Sequence, residues 1–228
     1  MFIASLLIDF DGTACPSDVS EELLDAFGNG DWRQYDDAVD RGELGLRQAA
    51  EIQASMLHAS RKEMLAFALD RFTVDETFPR FVAYASGTRR PLAVISDGFG
   101  FYVRPILERA GLGHLEVMTN DLADGELRHP FAHPECVGCG TCKMRAAVRF
   151  RATYGSVAYV GEGQSDRYGA LYSDLVFAKK DLVRICEQDG VPYRTWETFD
   201  DIRVVLESRD EIPGAVSPER CPGWRDRS

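Results

Sequence analysis

Two aspartates that directly follow an apolar run near the N-terminus constrain this chain more than any other feature. The run Ile3–Ile8 is rich in Ile and Leu, as buried strands are, and Asp9-Phe10-Asp11-Gly12-Thr13 follows it. The Gly and Thr predict that the strand ends there in a turn. Carboxylates this close repel one another and need a cation to be held together. A nucleophile, a hard metal ion and a phosphate would suit such a place.

Length, charge and hydropathy limit the classes to which the protein can belong. The 228 residues, 45% of them hydrophobic, suit one good-sized domain or a core with a small insertion. A net charge of −11 argues against nucleic acid or an anionic membrane as a partner, since both bind basic surfaces. No apolar stretch approaches the ~18 residues that span a bilayer, and the N-terminus lacks a signal-peptide pattern. We therefore expect a cytoplasmic location and six reduced cysteines.

Strand-like and helical patterns alternate over the second half of the chain. Strand patterns occur at 92–95, 157–160 and 175–178, and helical patterns separate and follow them. Residues 17–72 look helical throughout. The order predicts an α/β fold with a Rossmann-like, mainly parallel sheet flanked by helices, and a small α-helical cap inserted after the first strand. The Asp124-Gly125 pair predicts a hairpin turn.

This pattern divides the chain into three predicted parts. They are an α/β catalytic core of residues 1–14 and 85–207, a helical cap of residues 15–84, and a polar C-terminal tail of residues 208–228. The tail is rich in Arg and Pro, so we expect it to pack poorly.

Chemically capable residues fall at, or just after, the predicted strands. These positions are Asp9 and Asp11, then Ser96 in Ile95-Ser96-Asp97-Gly98, then Lys143 at a helix start, and last Gly161-Glu162-Gly163-Gln164-Ser165-Asp166. The carboxyl ends of strands in an open α/β sheet line one crevice, where ligands bind. We therefore expect these residues to meet at one edge of the sheet.

Phosphate ester hydrolysis needs side chains of these types. Asp9 is the predicted nucleophile, which forms an acyl phosphate, and Asp11 is the predicted acid and base for the leaving group and the water. Ser96 can hydrogen-bond a phosphoryl oxygen, and Lys143 can neutralise the equatorial oxygens; Gly98 joins them in the predicted substrate site. The predicted metal ligands around Mg²⁺ are Asp9, Asp11, Glu162 and Asp166.

In content and order, these four segments resemble the four motifs of the haloacid dehalogenase superfamily, phosphoserine phosphatase-like branch. The helical block lies where that superfamily inserts its first type of cap. Within the branch, Ile95–Phe99, Tyr102–Ile106 and Cys139–Lys143 look most similar to the methionine-salvage phosphatases. The resemblance implies a phospho-aspartate intermediate, Mg²⁺ bound in part by the backbone carbonyl of Asp11, and 2-hydroxy-3-keto-5-methylthiopentenyl-1-phosphate as a candidate substrate.

The chain departs from the family pattern at Glu162, where the fourth motif normally has an aspartate that binds the metal. The extra methylene moves the carboxylate by about one C–C bond, and Mg²⁺ demands near-ideal geometry. Three outcomes follow: the backbone shifts to compensate, Asp166 takes more of the metal binding, or the metal or the activity differs. We favour compensation, because the other three motifs are intact.

Three cysteines at a spacing of three form a second candidate site. Cys136, Cys139 and Cys142 could bind zinc or iron, with His133 or the distant Cys15 as a fourth ligand. The alternative is a tight loop of structural thiols that only positions Lys143.

These patterns predict a Mg²⁺-dependent phosphatase that acts on a small phosphorylated metabolite, as a monomer or a homodimer, without nucleic acid or membrane partners. Two alternatives stay open. One is a phosphotransferase of the same fold, and the other is a non-catalytic thiol–metal protein in which Glu162 disables the Mg²⁺ site.

Overall fold

A seven-stranded sheet runs through the structure, which is a computed structural model that describes residues 4–123, 125–136, 138–208 and 221. The strands are β1 (Ser5–Ile8), β2 (Leu92–Phe99), β3 (Glu116–Ala123), β4 (Glu126–Arg128), β5 (Val157–Gly161), β6 (Leu175–Ala178) and β7 (Arg194–Thr195). The α-helices in the described residues are α1 (Val19–Phe27), α2 (Arg33–Asp40), α3 (Leu46–Ser55), α4 (Arg61–Arg71), α5 (Phe78–Gly87), α6 (Gly100–Arg109), α7 (Lys143–Tyr154), α8 (Arg167–Leu171), α9 (Asp181–Asp189) and α10 (Phe199–Glu207).

The strand order is β4-β3-β2-β1-β5-β6-β7, and only the β3–β4 pair is antiparallel. Strand β1 lies at the centre, where Leu6 pairs with Leu92 of β2 and with Ala158 of β5. The expectation of an α/β fold with a mainly parallel sheet is confirmed. Because β1, β2 and β5 are neighbours and parallel, the segments that leave their carboxyl ends meet at one edge of the sheet.

The two faces of the sheet carry separate apolar layers. Leu6 and Ile8 of β1 pack on one face with side chains of α5, α6 and α10, whereas Leu7 packs on the other face with side chains of α7, α8 and α9. All three strand residues are fully buried, as expected for a parallel strand covered on both sides. Helices on both faces thus hold β1, and with it Asp9, rigidly in place.

Helices α1 to α5 lie between β1 and β2 in the chain. Helix α4 packs on α6 of the sheet layer, where the guanidinium of Arg109 donates to the carbonyls of Leu69 and Phe72. Helix α5 packs against α10 and β2, and its Phe78 stacks on Phe199 at 4.7 Å between ring centroids. The predicted boundary between cap and core at residue 84 therefore falls inside a helix that packs on the core.

The structure differs from the expected elements in two further places and agrees with them in a third. Strand β2 continues to Phe99 through an irregularity in its pairing with β3, so Ser96 lies inside the strand. Strand β7 and helix α10 follow α9, where no element is expected. The predicted hairpin forms between β3 and β4, although Asp124 of its turn lies outside the described residues.

Most of the predicted tail, residues 209–220 and 222–228, also lies outside the described residues. Within the part that is described, Cys221 is buried in the apolar layer of α7, α8 and α9, which differs from the expected poor packing. None of the described helices has the length and apolar character that crossing a bilayer requires.

Candidate active site

Lys143 links the two ends of the predicted constellation. Its ammonium donates to Asp9 Oδ1 at 2.8 Å, to Asp166 Oδ1 at 2.6 Å and to Ser165 Oγ at 2.8 Å. Lys143 is the first residue of α7, Asp9 directly follows β1, and Asp166 ends a 3₁₀ turn after β5. The structure therefore brings together three predicted site residues that lie far apart in the sequence.

Asp166 is the most completely hydrogen-bonded carboxylate of the site. Besides Lys143, the hydroxyl of Tyr159 donates to its Oδ1 at 2.7 Å, and the backbone amides of Glu162 and Gly163 donate to its Oδ2 at 2.8 and 3.0 Å. A side chain at Gly161 would overlap this carboxylate, which explains the glycine that opens the motif. These contacts fix the Asp166 carboxylate beside the Lys143 ammonium.

The buried charges of this cluster do not balance. Burial lowers the pKa of Lys143, but the Asp166 and Asp9 carboxylates outweigh it and raise that pKa well above its ordinary value. Burial, together with repulsion from Asp166, raises the pKa of Asp9 well above its ordinary value. One ammonium therefore serves two buried carboxylates, and a further cation would relieve the remaining negative charge.

Asp11 lies beside this cluster and is bound by three donors. Its Oδ1 accepts from the amide of Val19 at 3.0 Å, and its Oδ2 accepts from Ser96 Oγ at 3.1 Å and from the hydroxyl of Tyr102 at 2.9 Å. Burial, and then the charge of Asp18, raises the pKa of Asp11 to about 8. At neutral pH the Asp11 carboxyl therefore carries a proton that it can donate.

Gly98 brings its backbone close to these side chains. Its amide donates to Ser96 Oγ at 2.8 Å, and a Cβ at this position would overlap the hydroxyl of Tyr102 and a carboxylate oxygen of Asp11. Only glycine fits here without displacing the predicted acid. Gly98 thus orients the Ser96 hydroxyl at the edge of the cavity, consistent with its predicted place in the substrate site.

Asp97 connects β2 to the loop that precedes Lys143. Its Oδ1 accepts from the amide of Thr141 at 2.7 Å, and its carbonyl accepts from the amide side chain of Asn120 at 2.6 Å. Burial raises the pKa of Asp97. The sequence gives Asp97 no role, but these contacts make it a positioning residue for the start of α7.

Glu162 lines the same cavity as Ser96. Its carboxylate pairs with the ammonium of Lys180 and lies against the backbone of Gly12, so that a Cβ at Gly12 would overlap it. Gly12 has a φ of +69°, which favours glycine independently. The longer acid therefore reaches the turn that carries Asp9 and Asp11, although it does not contact Lys143.

A cavity of about 360 Å³ opens above these residues. The strand ends supply its floor, with Asp9, Asp11, Ser96, Glu162 and Asp166. Helices α1 to α3 and the segments next to them supply its other wall, with Asp18, Ser20, Glu21, Leu24, Trp32, Asp36, Leu46, Ala49, Ala50, Gln53 and Ala54. Within the described residues, this helical wall contains apolar and acidic side chains but no Lys or Arg.

The donor set suits a hard divalent cation by its chemistry. Asp9, Asp11, Glu162 and Asp166 all present oxygens to one cavity, and the raised pKa values of Asp9 and Asp11 indicate surplus negative charge. The arrangement is not that of an assembled metal centre: among residues 4–123, 125–136, 138–208 and 221, no three acidic, imidazole or thiol side chains are grouped to hold a metal. The ammonium of Lys143 lies between Asp9 and Asp166 instead.

The predicted thiol site lies apart from these carboxylates. Cys136, Cys139 and Cys142 line a second, smaller cavity with His133, and Cys221 joins them there. Cys15, offered as a fourth ligand, is buried in the apolar layer on the opposite face of the sheet. The sequence treats Cys221 as a tail thiol, and its spacing from the other three gives no signal of the contact.

Three further site residues escape the sequence analysis. Tyr102 and Tyr159 look like apolar core residues, and their hydroxyls bond Asp11 and Asp166 only through the tertiary structure. Lys180 takes a positive φ of 48°, which is uncommon for a residue with a Cβ, and no sequence pattern marks it as the partner of Glu162.

Comparison with curated proteins finds relatives that are phosphatases by name. The chain is 28% identical over 222 residues to the bifunctional enzyme MtnB/MtnX of Bacillus licheniformis, which covers 94% of this chain and 52% of that enzyme. The chain thus spans about half the length of this bifunctional relative. It is 27% identical over 212 residues to the 2-hydroxy-3-keto-5-methylthiopentenyl-1-phosphate phosphatase of Bacillus pumilus, which covers 90% of this chain and 91% of that protein.

Solved structures share the fold at low sequence identity. A phosphoserine phosphatase with a phospho-aspartyl intermediate analogue superposes with a TM-score of 0.66 at 18% identity, over 91% of this chain and all of that one. A substrate-bound phosphoserine phosphatase gives 0.68 at 19%, with the same coverage. The family model described as haloacid dehalogenase-like hydrolase matches residues 6–170. The chain therefore belongs to the haloacid dehalogenase-like hydrolases.

Proposed function

We propose that this chain is a Mg²⁺-dependent phosphatase that hydrolyses a small phosphorylated metabolite through a phospho-aspartate on Asp9. The observation that carries the proposal is the triple contact of the Lys143 ammonium with Asp9, Ser165 and Asp166. It places a buried cation directly beside Asp9, a buried carboxylate that lines a cavity able to admit a small ester. A phosphoryl group bound there would meet a nucleophile and a charge to neutralise its oxygens.

The proposed reaction has two displacements at phosphorus. Because Lys143 holds Oδ1 of Asp9, we assign Oδ2 as the attacking oxygen. Its bond to phosphorus forms as the ester oxygen leaves, and Asp11 gives that oxygen a proton, which its raised pKa of about 8 makes available at neutral pH. Asp11 then accepts a proton from the water that attacks the phospho-aspartate. This step releases inorganic phosphate and restores Asp9.

The hydroxyl of Ser96 and the ammonium of Lys143 hold the phosphoryl oxygens in this scheme. Bound Mg²⁺ would supply a positive charge that lets an anionic ester approach Asp9. The residues that would hold it are Asp9, Asp11 through its backbone carbonyl, Asp166 and Glu162. We propose that helices α1 to α4 act as a cap that keeps water from the cavity while the ester reacts.

The cavity wall favours a substrate whose tail carries no carboxylate. Among the described residues that line the helical wall, no Lys or Arg is available to pair with such a group, and Glu21 and Asp36 would repel it. Leu24, Trp32 and Leu46 offer apolar contacts instead. These features agree with 2-hydroxy-3-keto-5-methylthiopentenyl-1-phosphate, the compound in the name of the Bacillus pumilus relative, and the described wall residues offer no cation to the carboxylate of phosphoserine.

Steady-state kinetics with and without Mg²⁺ test the proposal. We expect Mg²⁺-dependent phosphate release from the methylthiopentenyl ester, with a higher kcat/KM than for phosphoserine, and no activity in a chelator. The Asp9→Asn variant is expected to lose at least about a thousandfold in kcat because it lacks the nucleophile, while its circular dichroism and melting curve stay those of a folded protein. Equal activity in Asp9→Asn would remove Asp9 as the nucleophile.

Product analysis separates hydrolysis from phosphotransfer, the alternative within the same fold. With an added alcohol as acceptor, we expect all phosphoryl groups to appear as inorganic phosphate. A phosphorylated alcohol as the main product would assign the chain to the phosphotransferases instead.

A further inference from the structure

A second cavity lies next to Lys143, which is one of its lining residues. Four thiols line it, together with an imidazole: Cys136, Cys139, Cys142, Cys221 and His133. The cavity encloses about 10 Å³, room for one body the size of a water molecule or an ion. The proposed phosphatase reaction uses none of these side chains, so their convergence needs a separate reason.

The four thiols reach the cavity from two distant parts of the chain. Three come from the loop that leads into α7, at a spacing of three residues, and Cys142 is the residue immediately before the helix. The fourth, Cys221, is buried, and its amide donates to the hydroxyl of Tyr172 at 3.3 Å. Chance burial of single thiols would not bring four of the six cysteines of the chain to one small space.

We propose that this cavity is a structural zinc site with Cys136, Cys139, Cys142 and Cys221 as its four ligands. Four sulfur ligands in a closed, tetrahedral arrangement are typical of structural Zn²⁺, and C-x2-C spacings are typical of the loops that hold it. None of the four is in a disulfide. Within the described residues, no three of these side chains are grouped closely enough to hold a metal. Binding of the metal would require the cysteine side chains to rotate toward the centre of the cavity that they line.

Zinc at this position would fix the loop that delivers Lys143 to the active site. The loop is already tied to two other parts of the molecule, because the amide of Thr141 donates to Asp97 Oδ1 and the carbonyl of Gly138 accepts from the amide of Arg47 in α3 at 3.3 Å. A metal bound to Cys142 and Cys221 would join the C-terminal segment to the same loop. The role is structural: zinc would hold the first turn of α7 in place and take no part in the reaction.

Metal analysis of the full-length protein tests the proposal. We expect protein produced with added zinc and then dialysed to keep one Zn²⁺ per chain, and we expect Cys139→Ser and Cys221→Ser to lose it. Cys186→Ser is the matched control, since Cys186 is buried on the same face of the sheet but does not line the cavity. Asp9→Asn is a second control: it should keep its zinc, which shows that the metal is not bound at the catalytic carboxylates.

A titration of wild-type protein with a mercurial covers the case in which a serine variant fails to fold. We expect zinc to be released in step with the reaction of four thiols, and Co²⁺ in place of zinc to give the visible absorption of a tetrahedral thiolate site. Protein without stoichiometric zinc, full zinc retention in Cys221→Ser, or a disulfide among the four thiols in freshly purified protein would each overturn the proposal.

Discussion

At the scale of single residues, the site depends on how buried charges are paired. Lys143 is 2% exposed and pairs with both Asp9 and Asp166, and its charge lowers the pKa of Asp9 against the larger effects of burial and of Asp166. Asp11 has no such partner. Three neutral donors hold it and lower its pKa, but burial and the charge of Asp18 outweigh them and raise that pKa to about 8. This difference in surroundings supports the roles proposed for the two aspartates, attack for Asp9 and proton transfer for Asp11.

Shortening Glu162 to aspartate tests whether the chain compensates for the longer acid. We expect Glu162→Asp to retain its Mg²⁺-dependent activity, with Mg²⁺ affinity unchanged or raised by up to about tenfold, since the family pattern has aspartate here. Mg²⁺ titrations of kcat measure this. Glu162→Gln, which keeps the length and removes the charge, is the control and should weaken Mg²⁺ binding. Complete loss of activity in Glu162→Asp would mean that the site is built around the contact of the longer acid with Lys180 and Gly12.

The raised pKa of Asp11 predicts how stability depends on pH in the metal-free protein. The unfolded chain loses this proton near the ordinary value of 3.8, whereas the folded chain keeps it up to about 8. Between these values the folded state binds the extra proton, so the contribution of Asp11 to stability falls as the pH rises. We expect Asp11→Asn to melt at a higher temperature than wild type at pH 8, with the difference shrinking toward pH 4.

Differential scanning fluorimetry in a chelator gives the required melting curves, with the exposed Asp70→Asn as the control. A difference between Asp11→Asn and wild type that stays constant from pH 4 to pH 8 would show that the Asp11 carboxyl titrates normally in the folded protein.

At the scale of elements, helix α10 completes one of the two apolar layers. Phe199 at its start is fully buried among three rings, with centroid distances of 4.7 Å to Phe78, 5.3 Å to Phe81 and 5.1 Å to Trp196. The hydroxyl of Thr77 also accepts from the amide of Phe199 at 3.0 Å. These contacts join α10 to α5, the helix that leads into β2 and so to Ser96.

Removal of the Phe199 ring is expected to destabilise the fold. Phe199→Ala should lower the free energy of unfolding by about 3–5 kcal/mol, because it loses buried apolar area and leaves a cavity. Urea denaturation measures the change. Val204→Ala on the same helix is the matched control, since Val204 is 57% exposed and should change stability by less than about 0.5 kcal/mol. Equal effects of the two substitutions would contradict the proposed packing role of α10.

Elements with strong local patterns are the ones that the sequence predicts well. The apolar run before Asp9 and the alternation after residue 91 give β1, β2, β5, β6 and the parallel sheet, and the motif order places Asp9, Ser96, Lys143 and Asp166 at one edge. Helix α10 also has an apolar pattern of helical spacing, formed by Phe199, Ile202 and Leu206. This pattern lies beyond the alternating strands and helices on which the predicted fold is based.

Contacts between distant segments leave no local pattern, and these are what the sequence does not predict. The hydroxyls of Tyr102 and Tyr159 look like core side chains until the fold turns them toward carboxylates. Cys221 meets the thiols of the loop before α7 only in the tertiary structure, far from them in the sequence. The pairing of Glu162 with Lys180 depends on a backbone conformation of Lys180 that no pattern indicates.

At the scale of the whole molecule, two parts of the chain contribute different chemistry to one cavity. The strand ends supply the groups that would react with phosphate in the proposed reaction, and helices α1 to α3 supply the wall that would meet the rest of the substrate. The wall is acidic as well as apolar: burial, followed by the charges of Asp18 and Asp36, raises the pKa of Glu21 to about 7. Changes in the wall should therefore alter the choice of substrate more than the chemical step.

Neutralising one acidic side chain of the helical wall is expected to reduce the selectivity against substrates that carry a carboxylate. Glu21→Gln should raise kcat/KM for phosphoglycolate, an ester with a carboxylate and no ammonium, by roughly fivefold, the effect of removing about 1 kcal/mol of repulsion, and leave kcat/KM for the methylthiopentenyl ester nearly unchanged. Competition kinetics with the two substrates measure the ratio. Glu22→Gln on the same helix is the control, because Glu22 does not line the cavity. An equal rise in kcat/KM for both substrates would show that Glu21 affects the binding of any anionic ester and does not discriminate between the two.

The central position of β1 has a consequence for synthesis on the ribosome. This strand emerges first, yet its two neighbours, β2 and β5, emerge only after residues 92 and 157. Until then both edges of the apolar strand β1 are unpaired, whereas the helices that follow it can form from local contacts alone. In the nascent chain, Asp9 is therefore present well before Lys143, which contacts it in the folded protein. We expect β1 to be the segment that chaperones must shield.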